Sequence, residues 1–516
     1  MDKISILNDV LGPIMRGPSS SHTAGSFRIG RMVRSLWGDD PCEFALTFDP
    51  GGSYAQVYRE QAVDLAFAAG FLGWPITDER FSQALETARS EGRGLSFAVR
   101  QLGRADHPNF VHITLTSPQG RSLEVEARST GGGGIQLTRF QDWPVCLDGK
   151  RFVYVMECDA EQADRISALV SDPHKRRGSV EKQRQDDRVL MLLSSDAEWE
   201  PDVLKDVQNA AGPRSMFQCP PVFHVTPGEP VFANASEMVS LSEGRGLSLG
   251  RLALEHEAQL LGISQEEVLA EMKKRLGIMR RSVEQGLRHE DIRMQLLLPT
   301  AGNIFRAEQE GRLAVGGMHT RAAARAMAVM HVCNSQGVVC AAPTGGAAGV
   351  IPGVVVSLLE EQGRTEEAAV LGLLAASAVG VIVAARATFA AEIAGCQVEI
   401  GAAGAMAAAL VVEMSGGSAR QAADAAAISF QNTMGSVCDL VQGMCEIPCH
   451  TRNAAASSGA FVCADLILGG YINPVPLDET IDAVLSSGRM LPSELRVTSK
   501  GGLALAPSAK ALPRQR

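Results

Sequence analysis

The feature that most constrains this chain is a run of 18 residues without a charge, positions 368–385, inside a longer region rich in Ala and Gly. Glu366 and Glu367 precede the run and Arg386 follows it, and no aromatic residues mark its ends. Its length is near the lower limit for a membrane-spanning helix. A helix that is apolar on all sides can also lie at the centre of a protein core. Because the aromatic belts of membrane helices are missing, we expect a buried core helix and no membrane association.

The composition supports several packed domains built from small residues. The chain has 516 residues, which is too long for one ordinary core. Aromatic residues make up only 5% and Gly occurs 52 times, so the helices must pack closely through Ala, Gly and Val. The net charge of −10 argues against a nucleic-acid surface, which needs a concentrated basic face. Eleven cysteines and an N-terminus without an apolar leader predict a cytoplasmic protein with reduced thiols.

The first 148 residues have a mixed α and β pattern. Alternating apolar residues predict a strand over 43–48, and small apolar residues predict one helix over 55–72. Residues 111–115 and 123–127 predict a strand pair joined by Pro118-Gln119-Gly120. Residues 131–134 are four glycines, a pattern equally compatible with a sharp turn and an anion-binding loop. We therefore expect an α+β domain here.

Two further units follow. Residues 149–225 predict the order β-α-β-α-β, with strands at 152–156, 189–193 and 215–217 and helices at 160–170 and 201–210. This order resembles a small ACT-type regulatory domain. Residues 235–510 predict a mostly α-helical domain, which begins with an amphipathic helical pattern over 252–288. The expected fold is therefore multidomain, with an α+β part, a small ACT-like part and a helical part.

Three cysteines stand at loop-like positions in the helical part. They are Cys396, Cys438 and Cys449, separated by 42 and 11 residues. Thiolates are the usual ligands of iron–sulfur clusters, and a cluster held by three cysteines leaves one iron open as a Lewis acid. The spacing by itself is weak evidence, because buried cysteines without a metal are common in protein cores.

Two other constellations suit a small ligand that carries a carboxylate. Ser19, Ser20, Ser21, His22 and Thr23 stand between glycines before a predicted helix. Hydroxyls and amides at a helix start suit a carboxylate, although the same residues also form ordinary helix caps. Farther on, the glycines that follow Thr344 allow a close approach of backbone and ligand. Gly345 and Gly346 are the first two of these glycines. Near the C-terminus, Arg496 and Lys500 offer cations for a carboxylate, although a pair of solvated surface side chains is the simpler interpretation.

The motifs, taken in order, resemble those of the iron–sulfur-dependent L-serine dehydratases (L-serine ammonia-lyases). The N-terminal GPSSSHTAG is similar to a motif of the family's β part, whereas APTGGAAGVIPG, AGCQVEIG, VCDLVQGMCEIPC and TSKGGLA are similar to motifs of its α part. The resemblance implies both parts fused in one chain, with a [4Fe-4S] cluster on Cys396, Cys438 and Cys449. It also implies conversion of L-serine to pyruvate and ammonia, as a step in amino-acid catabolism and gluconeogenesis.

The resemblance also implies roles for individual residues. Ser20, Ser21, His22 and Thr23 are expected in catalysis. The residues expected to bind the substrate are Ser19, Gln61, Asp64, Thr344, Gly345, Gly346, Arg496 and Lys500. We expect a small amino-acid substrate, a homodimer and no nucleic-acid partner.

This chain departs from the family pattern at position 61, where Gln61 stands in place of a histidine. Glutamine can replace a hydrogen bond of histidine but cannot titrate. Cys445 has no counterpart in the family pattern, and the C-terminal tail lacks the cysteine that ends some members. Two alternatives are therefore a lyase for another β-hydroxy or β-substituted amino acid, and a catalytically silent, cluster-bearing regulator.

Overall fold

The computed structural model describes residues 3–38, 42–170, 178–212 and 216–515, which form three regions in chain order. The N-terminal region has seven labelled strands and four labelled helices: β1 Ile14–Arg16, α1 Gly25–Trp37, β2 Glu43–Phe48, α2 Ser53–Val57, α3 Val63–Leu72, α4 Ala84–Ser90, β3 Leu95–Val99, β4 Phe110–Thr116, β5 Ser122–Gly131, β6 Gly134–Phe140 and β7 Trp143–Leu147. Six of the strands form one sheet in the order β3-β2-β4-β5-β6-β7. The sheet packs its apolar face on α1 and α3 around a core that includes Phe44, Phe67 and Phe71.

Several sequence predictions for this region are confirmed, and one is wrong. The strand over 43–48 is present, and β4 pairs antiparallel with β5 as expected. The single helix predicted over 55–72 is two helices, α2 and α3, because the chain turns sharply between them at Ala62, whose φ is +51°. Small-residue patterns do not reveal such a left-handed residue, which tertiary packing must hold in place. The four-glycine run forms the tight connection of β5 to β6.

The middle region is a four-stranded antiparallel sheet with two helices: β8 Phe152–Asp159, α5 Ala160–Val170, β9 Gly178–Gln185, β10 Arg188–Ser195, α6 Pro201–Ala211 and β11 Met216–Cys219. The sheet order is β11-β8-β10-β9. The predicted order lacked β9, whose largely polar sequence gives no strand signal and which pairs along one edge of the sheet. Ser215, with which the last strand was predicted to begin, lies outside the described residues.

Both faces of this middle sheet are buried. Val153, Val155 and Leu192 join the core of the N-terminal region, whereas Met156 and Met191 pack with α5 and α6. Successive side chains of a strand point to opposite faces, so a sheet covered on both sides needs nearly continuous apolar strands. This explains the runs in β8 and β10, and it fixes the middle sheet against the N-terminal region.

The C-terminal region is helical: α7 Ala235–Arg245, α8 Leu249–Leu261, α9 Gln265–Arg288, α10 Ala301–Gln309, α11 Met318–Asn334, β12 Val338–Cys340, α12 Val350–Glu361, α13 Glu366–Arg386, α14 Ala391–Ala394, α15 Ile400–Met414, α16 Ala419–Thr433, α17 Cys449–Leu468, α18 Leu477–Arg489 and α19 Pro507–Lys510. The amphipathic pattern over 252–288 belongs to two helices, α8 and α9, which are separated at Gly262 with its φ of +64°.

The charge-free run forms most of α13, as predicted for a core helix. Two helical stretches, α13 and residues 396–414, are long and apolar enough to cross a membrane, but 78% and 89% of an 18-residue segment of each, respectively, is buried inside the protein. Buried helices of folded cores have the same composition, so this is weak evidence for membrane insertion. Close packing accounts for their small residues: a Cβ on Gly380 of α13 would lie 2.2 Å from Val10.

The N-terminus is built into the helical region. A short helical turn, Ile6–Val10, packs against α13, and its amides at Ile6 and Leu7 donate hydrogen bonds to the buried carboxylate of Glu257 at 2.8 and 3.0 Å. Strand β1 then pairs antiparallel with β12, with Met15 opposite Val339. The segment that follows β1 is thereby held at the centre of the molecule.

Candidate active site at the junction of the N-terminal and helical regions

The three predicted ligand cysteines are buried and lie on three separate elements. Cys396 begins a short helical turn between α14 and α15, Cys438 lies in the loop after α16, and Cys449 is the first residue of α17. The loop of Cys438 is fixed by backbone pairing, because its amide donates to Leu495 O at 2.8 Å and its carbonyl accepts from the Val497 amide at 2.9 Å. The fold thus brings together residues that are 42 and 11 positions apart.

A buried glutamine ties two of these loops together. Gln397 donates from Nε2 to Ala394 O at 2.9 Å, and its Oε1 accepts from the Gly435 amide at 2.8 Å. The turn before it needs a glycine, since Gly395 has a φ of +74°. The Gly-Cys-Gln sequence therefore has a structural reason: it places the thiol of Cys396 beside the loop that carries Cys438.

The cysteine thiols converge with a carboxylate that the sequence analysis missed. Sγ of Cys396, Sγ of Cys438 and a carboxylate oxygen of Glu399 all lie within 4.8 Å of one another. Cys438, Cys449, Glu399 and Cys445 line one small cavity. The Cys-x-x-Glu spacing, which places both residues within one turn, was the signal that could have found Glu399. Cys445 lies in the loop that leads into α17, four residues before Cys449, and it lines the same cavity.

The ionisation of these groups is linked. A hydrogen bond from Cys438 and the charge of Arg452 lower the pKa of Cys396, whereas the same hydrogen bond raises the pKa of Cys438 well above its usual value. The hydrogen bond with Cys445, together with burial, raises the pKa of Cys449. Of the three thiols, Cys396 is therefore the one whose thiolate form is favoured by its surroundings. A bound cation would reverse this balance and favour thiolates throughout.

The donor set fits an iron–sulfur cluster. Cys438 and Cys449 line the cavity, and the sulfur of Cys396, which is not a lining residue, lies within 4.8 Å of the Cys438 sulfur. Soft thiolates suit iron–sulfur clusters far better than hard cations such as Mg²⁺. Cys396, Cys438 and Cys449 are the residues that would hold such a cluster, with Glu399 and Cys445 beside it.

The serine-rich segment lies against the same cavity. Ser19 caps a buried helical turn, Ser20–Ala24, by accepting a hydrogen bond from the His22 amide at 3.2 Å. Ser19, Ser20, Ser21 and His22 line the cavity. Thr23 lies behind them and donates from Oγ1 to Gln61 O at 2.9 Å. The predicted segment is thus brought to the cysteines by the β1–β12 pairing.

His22 is held by hydroxyls on both ring nitrogens. Nε2 lies 2.8 Å from Ser53 Oγ, and Nδ1 lies 3.0 Å from Ser21 Oγ and 3.2 Å from Ser19 Oγ. Burial lowers the pKa of His22 to about 4. The imidazole is therefore neutral at neutral pH and is fixed in orientation among three hydroxyl groups.

The predicted glycine loop separates the serine segment from the cysteines. The Gly345 amide donates to Ser20 Oγ at 3.4 Å, and a Cβ on Gly345 would lie 3.0 Å from Pro18 O and from the Ser20 amide nitrogen. A Cβ on Gly346 would lie 3.4 Å from Cys445 Sγ. Thr344 is buried, and its hydroxyl oxygen has no hydrogen-bond partner among the described residues. The glycines thus permit the close approach of the two parts.

The remaining predicted residues differ in whether they line the cysteine cavity. Gln61 is buried, lines the cavity and donates from Nε2 to Gly443 O at 3.5 Å. Arg496 and Lys500 line an outer cleft of about 370 Å³, which shares Gln61 and Glu392 with the cavity, and Arg496 donates to Ile393 O at 3.1 Å. Asp64 is not among the lining residues of either space.

Three further residues contribute to the walls. Glu392 lines the cavity and the outer cleft, and burial raises the pKa of its carboxyl group. Gly131 and Gly132 of the β5–β6 turn also line the cavity. The arrangement can therefore enclose a small polar molecule between hydroxyls, a neutral imidazole, amides and a cluster of thiols.

Known proteins resemble both parts of the chain. Residues 244–504 match the family described as serine dehydratase alpha chain. The "L-serine dehydratase, alpha chain" of Peptoniphilus asaccharolyticus is 34% identical over 52% of this chain and 93% of that relative. The "Probable L-serine dehydratase, alpha chain" of Bacillus subtilis (strain 168) is also 34% identical, over 55% of this chain and 95% of the relative. The "Probable L-serine dehydratase, beta chain" of the same strain is 39% identical over 27% of this chain and 62% of its own length.

Proposed function

The chain belongs to the L-serine dehydratase family and is a lyase, and from that premise we propose that it converts L-serine to pyruvate and ammonia at a [4Fe-4S] cluster held by Cys396, Cys438 and Cys449. The observation that carries this proposal is that Cys438 and Cys449 line one cavity with Ser19–His22 of the N-terminal region, while the sulfur of Cys396 lies within 4.8 Å of that of Cys438. Neither region alone provides both the sulfur donors and the hydroxyl groups.

When bound, the cluster would supply a Lewis-acidic iron that makes the β-hydroxyl of serine a better leaving group. Ser19, Ser21 and His22 would orient the amino acid through hydrogen bonds, since their polar atoms are already fixed relative to one another. His22 would act as a neutral hydrogen-bond partner at neutral pH. Most of the residues that line the cavity are buried, and a largely desolvated site strengthens each of these interactions.

The outer cleft supports a route for the substrate. Its polar wall contains Arg496 and Lys500, cations that would attract the substrate carboxylate before it reaches Gln61. Asp64 does not line this cleft, and its carboxylate accepts a hydrogen bond from the Leu65 amide at 2.8 Å. We assign it a role in the start of α3 and none in substrate contact.

A lyase for another β-hydroxy amino acid is the second candidate. Gln61 favours it, because the side chain that lines the cavity at this position cannot exchange a proton. Glu392 adds a carboxyl group to the same wall, which would suit a substrate with an additional polar group.

We further propose that residues 1–148, 149–225 and 235–510 are separate domains, of β-like, ACT-like and α-like type. The β8-α5-β9-β10-α6-β11 order with the sheet order β11-β8-β10-β9 supports an ACT-like fold. A cytoplasmic homodimer is part of the same proposal.

The decisive experiment is anaerobic purification, reconstitution with iron and sulfide, and a keto-acid assay with L-serine, L-threonine and related hydroxy amino acids. Pyruvate formed from serine in preference to the other substrates supports the first candidate. A larger kcat/KM for another amino acid supports the second. Cluster-containing protein that forms keto acid from none of them would overturn both.

A further inference from the structure

A cavity of about 370 Å³ lies where all three regions of the chain meet, apart from the cysteines. It is walled by the N-terminal turn and α1, by the connection after β11 that includes Phe223 and His224, and by α9. Its lining residues and those of the cysteine cavity have none in common. The proposed function therefore leaves this space without a role.

The cavity has an excess of positive charge. Arg28, Arg31, Lys274 and Arg275 line it, and Glu271 is the one carboxylate among the described residues that line it. Glu271 already binds Arg275 at 2.7 Å and lies 3.6 Å from Lys274. A single carboxylate thus pairs with two cations, and Arg28 and Arg31 have no counter-charge among the described residues of the wall.

The two arginines of α1 differ in their surroundings. Arg28 donates from Nη1 to Gly133 O at 2.6 Å, and its guanidinium lies 4.1 Å from the centroid of the Phe223 ring. Arg31 is exposed and forms no ion pair or side-chain hydrogen bond with any residue of the described ranges. The negative charge of Asp9 partly offsets the lowering of the Arg28 pKa by burial. The Asp9 carboxylate is, however, already bound by Lys150 at 3.1 Å and by the Ser5 amide at 2.9 Å.

We propose that this cavity binds a small, multiply charged anion, either a dicarboxylate or a phosphate-bearing metabolite. Arginine forks and a lysine ammonium recognise both groups through charge-assisted hydrogen bonds. The imidazole of His224 would add a neutral donor, and Phe27, Ile14 and Phe223 provide apolar walls for a carbon skeleton. The bound anion would touch α1, the connection after β11 and α9 together.

The test is titration calorimetry of the cluster-loaded protein with inorganic phosphate and, separately, with succinate, at constant ionic strength held with sodium chloride. Arg31→Gln and Lys274→Gln remove cations from exposed positions, so the fold is kept. Arg280→Gln is the matched control, because it removes an exposed cation of α9 that does not line the cavity.

We expect saturable binding of one anion per chain, an affinity about tenfold lower in each cavity variant, and an unchanged affinity in the control. Preference for phosphate or for succinate identifies the charged group of the ligand. Thermal unfolding gives an independent readout, because an anion that binds only the folded chain raises Tm. Absence of saturable heat with both anions, or equal affinity in all variants, would overturn the proposal without bearing on the lyase reaction.

Discussion

Arg452 and Cys396 are in direct contact: Nη1 of the arginine lies 3.7 Å from the cysteine sulfur. The same guanidinium donates to Val437 O at 2.6 Å and to Asp439 Oδ1 at 3.1 Å. Asp439 is almost fully buried and fixes the arginine from the far side. One cation, held on α17, thus faces the sulfur of one proposed ligand and the loop of the next.

Replacing this cation should weaken cluster retention. Arg452→Met removes the positive charge beside Cys396, so we expect less iron and sulfide per chain after gel filtration of the reconstituted protein, and faster loss in air. Arg452→Lys should retain more cluster, because it keeps the charge but not the fork geometry. Arg420→Met, which removes an exposed arginine paired with Glu243 on the surface, is the control. Equal iron content in all variants would contradict a role for the charge.

The ligand set makes a sharper prediction. Cys396→Ser, Cys438→Ser and Cys449→Ser should each lower iron and acid-labile sulfide to background and remove the visible absorbance of the reconstituted protein, because serine lacks the soft sulfur donor. Cys146→Ser is the control, since that thiol is exposed and does not line the cavity. Normal iron content in Cys449→Ser would show that another thiol, such as Cys445, is the ligand.

Gln61→His should change the choice of substrate. The imidazole would replace the amide that bonds to Gly443 O and would introduce a titratable group into the cavity wall. We expect the ratio of kcat/KM for serine to that for threonine to rise. Gln208→His, on the exposed face of α6, should leave the ratio unchanged. An unchanged ratio in Gln61→His would argue against this position as a determinant of specificity.

Gly17→Ala should disturb the serine segment. A Cβ at this position would lie 1.9 Å from Cys333 O, a backbone atom that cannot move aside easily. Overpacking of this kind costs about 1–3 kcal/mol or more, and here it would shift Ser19 and His22 from their positions. We expect a lower free energy of unfolding and a larger fall in kcat than in stability-matched variants. Gly459→Ala is the control, since a Cβ there meets nothing within 4 Å. Wild-type kcat in Gly17→Ala would show that the segment tolerates displacement.

The buried His256 of α8 predicts acid sensitivity. Burial lowers its pKa to about 4, below the usual value near 6.5. As pH falls from about 6.5 toward 4, the unfolded chain binds a proton that the folded chain does not, so stability decreases, by about 3 kcal/mol in total. His256→Gln should reduce by up to one the number of protons taken up on unfolding, and so lower the slope of the unfolding free energy against pH. Urea unfolding between about pH 7 and about pH 5 measures it, with His319→Gln, an exposed site, as control. Identical slopes in the wild type and His256→Gln would contradict the prediction.

The sequence was informative where local rules decide. The strand over 43–48, the helix over 160–170 and the buried nature of α13 follow from periodicity and from an apolar run. The loop positions of the cysteines also follow from local glycines and prolines. By contrast, β9 is polar and owes its strand to pairing with β10, a non-local interaction.

The composition of the site depends on such non-local contacts. Glu399 meets Cys438 only because the packing of α14, α15 and the loop after α16 brings together segments about 40 residues apart. Lys500 and Asp64 have charged side chains that could bind an amino acid. Whether they reach the cavity depends on how the N-terminal region packs against the helical region. Spacing along the chain contains no information on that junction.

The pairing of β1 with β12 bears on how the two halves of the molecule find each other. Backbone hydrogen bonds and the buried Met15 and Val339 hold the N-terminal strand in the helical region without help from the connection between β11 and α7. That connection acts as a tether, which raises the effective concentration of one half near the other. A chain cut there and supplied as two polypeptides should therefore reassemble, with a yield that now depends on dilution. Covalent fusion would thus make assembly of the two halves independent of protein concentration, while leaving the contacts of the site as they are.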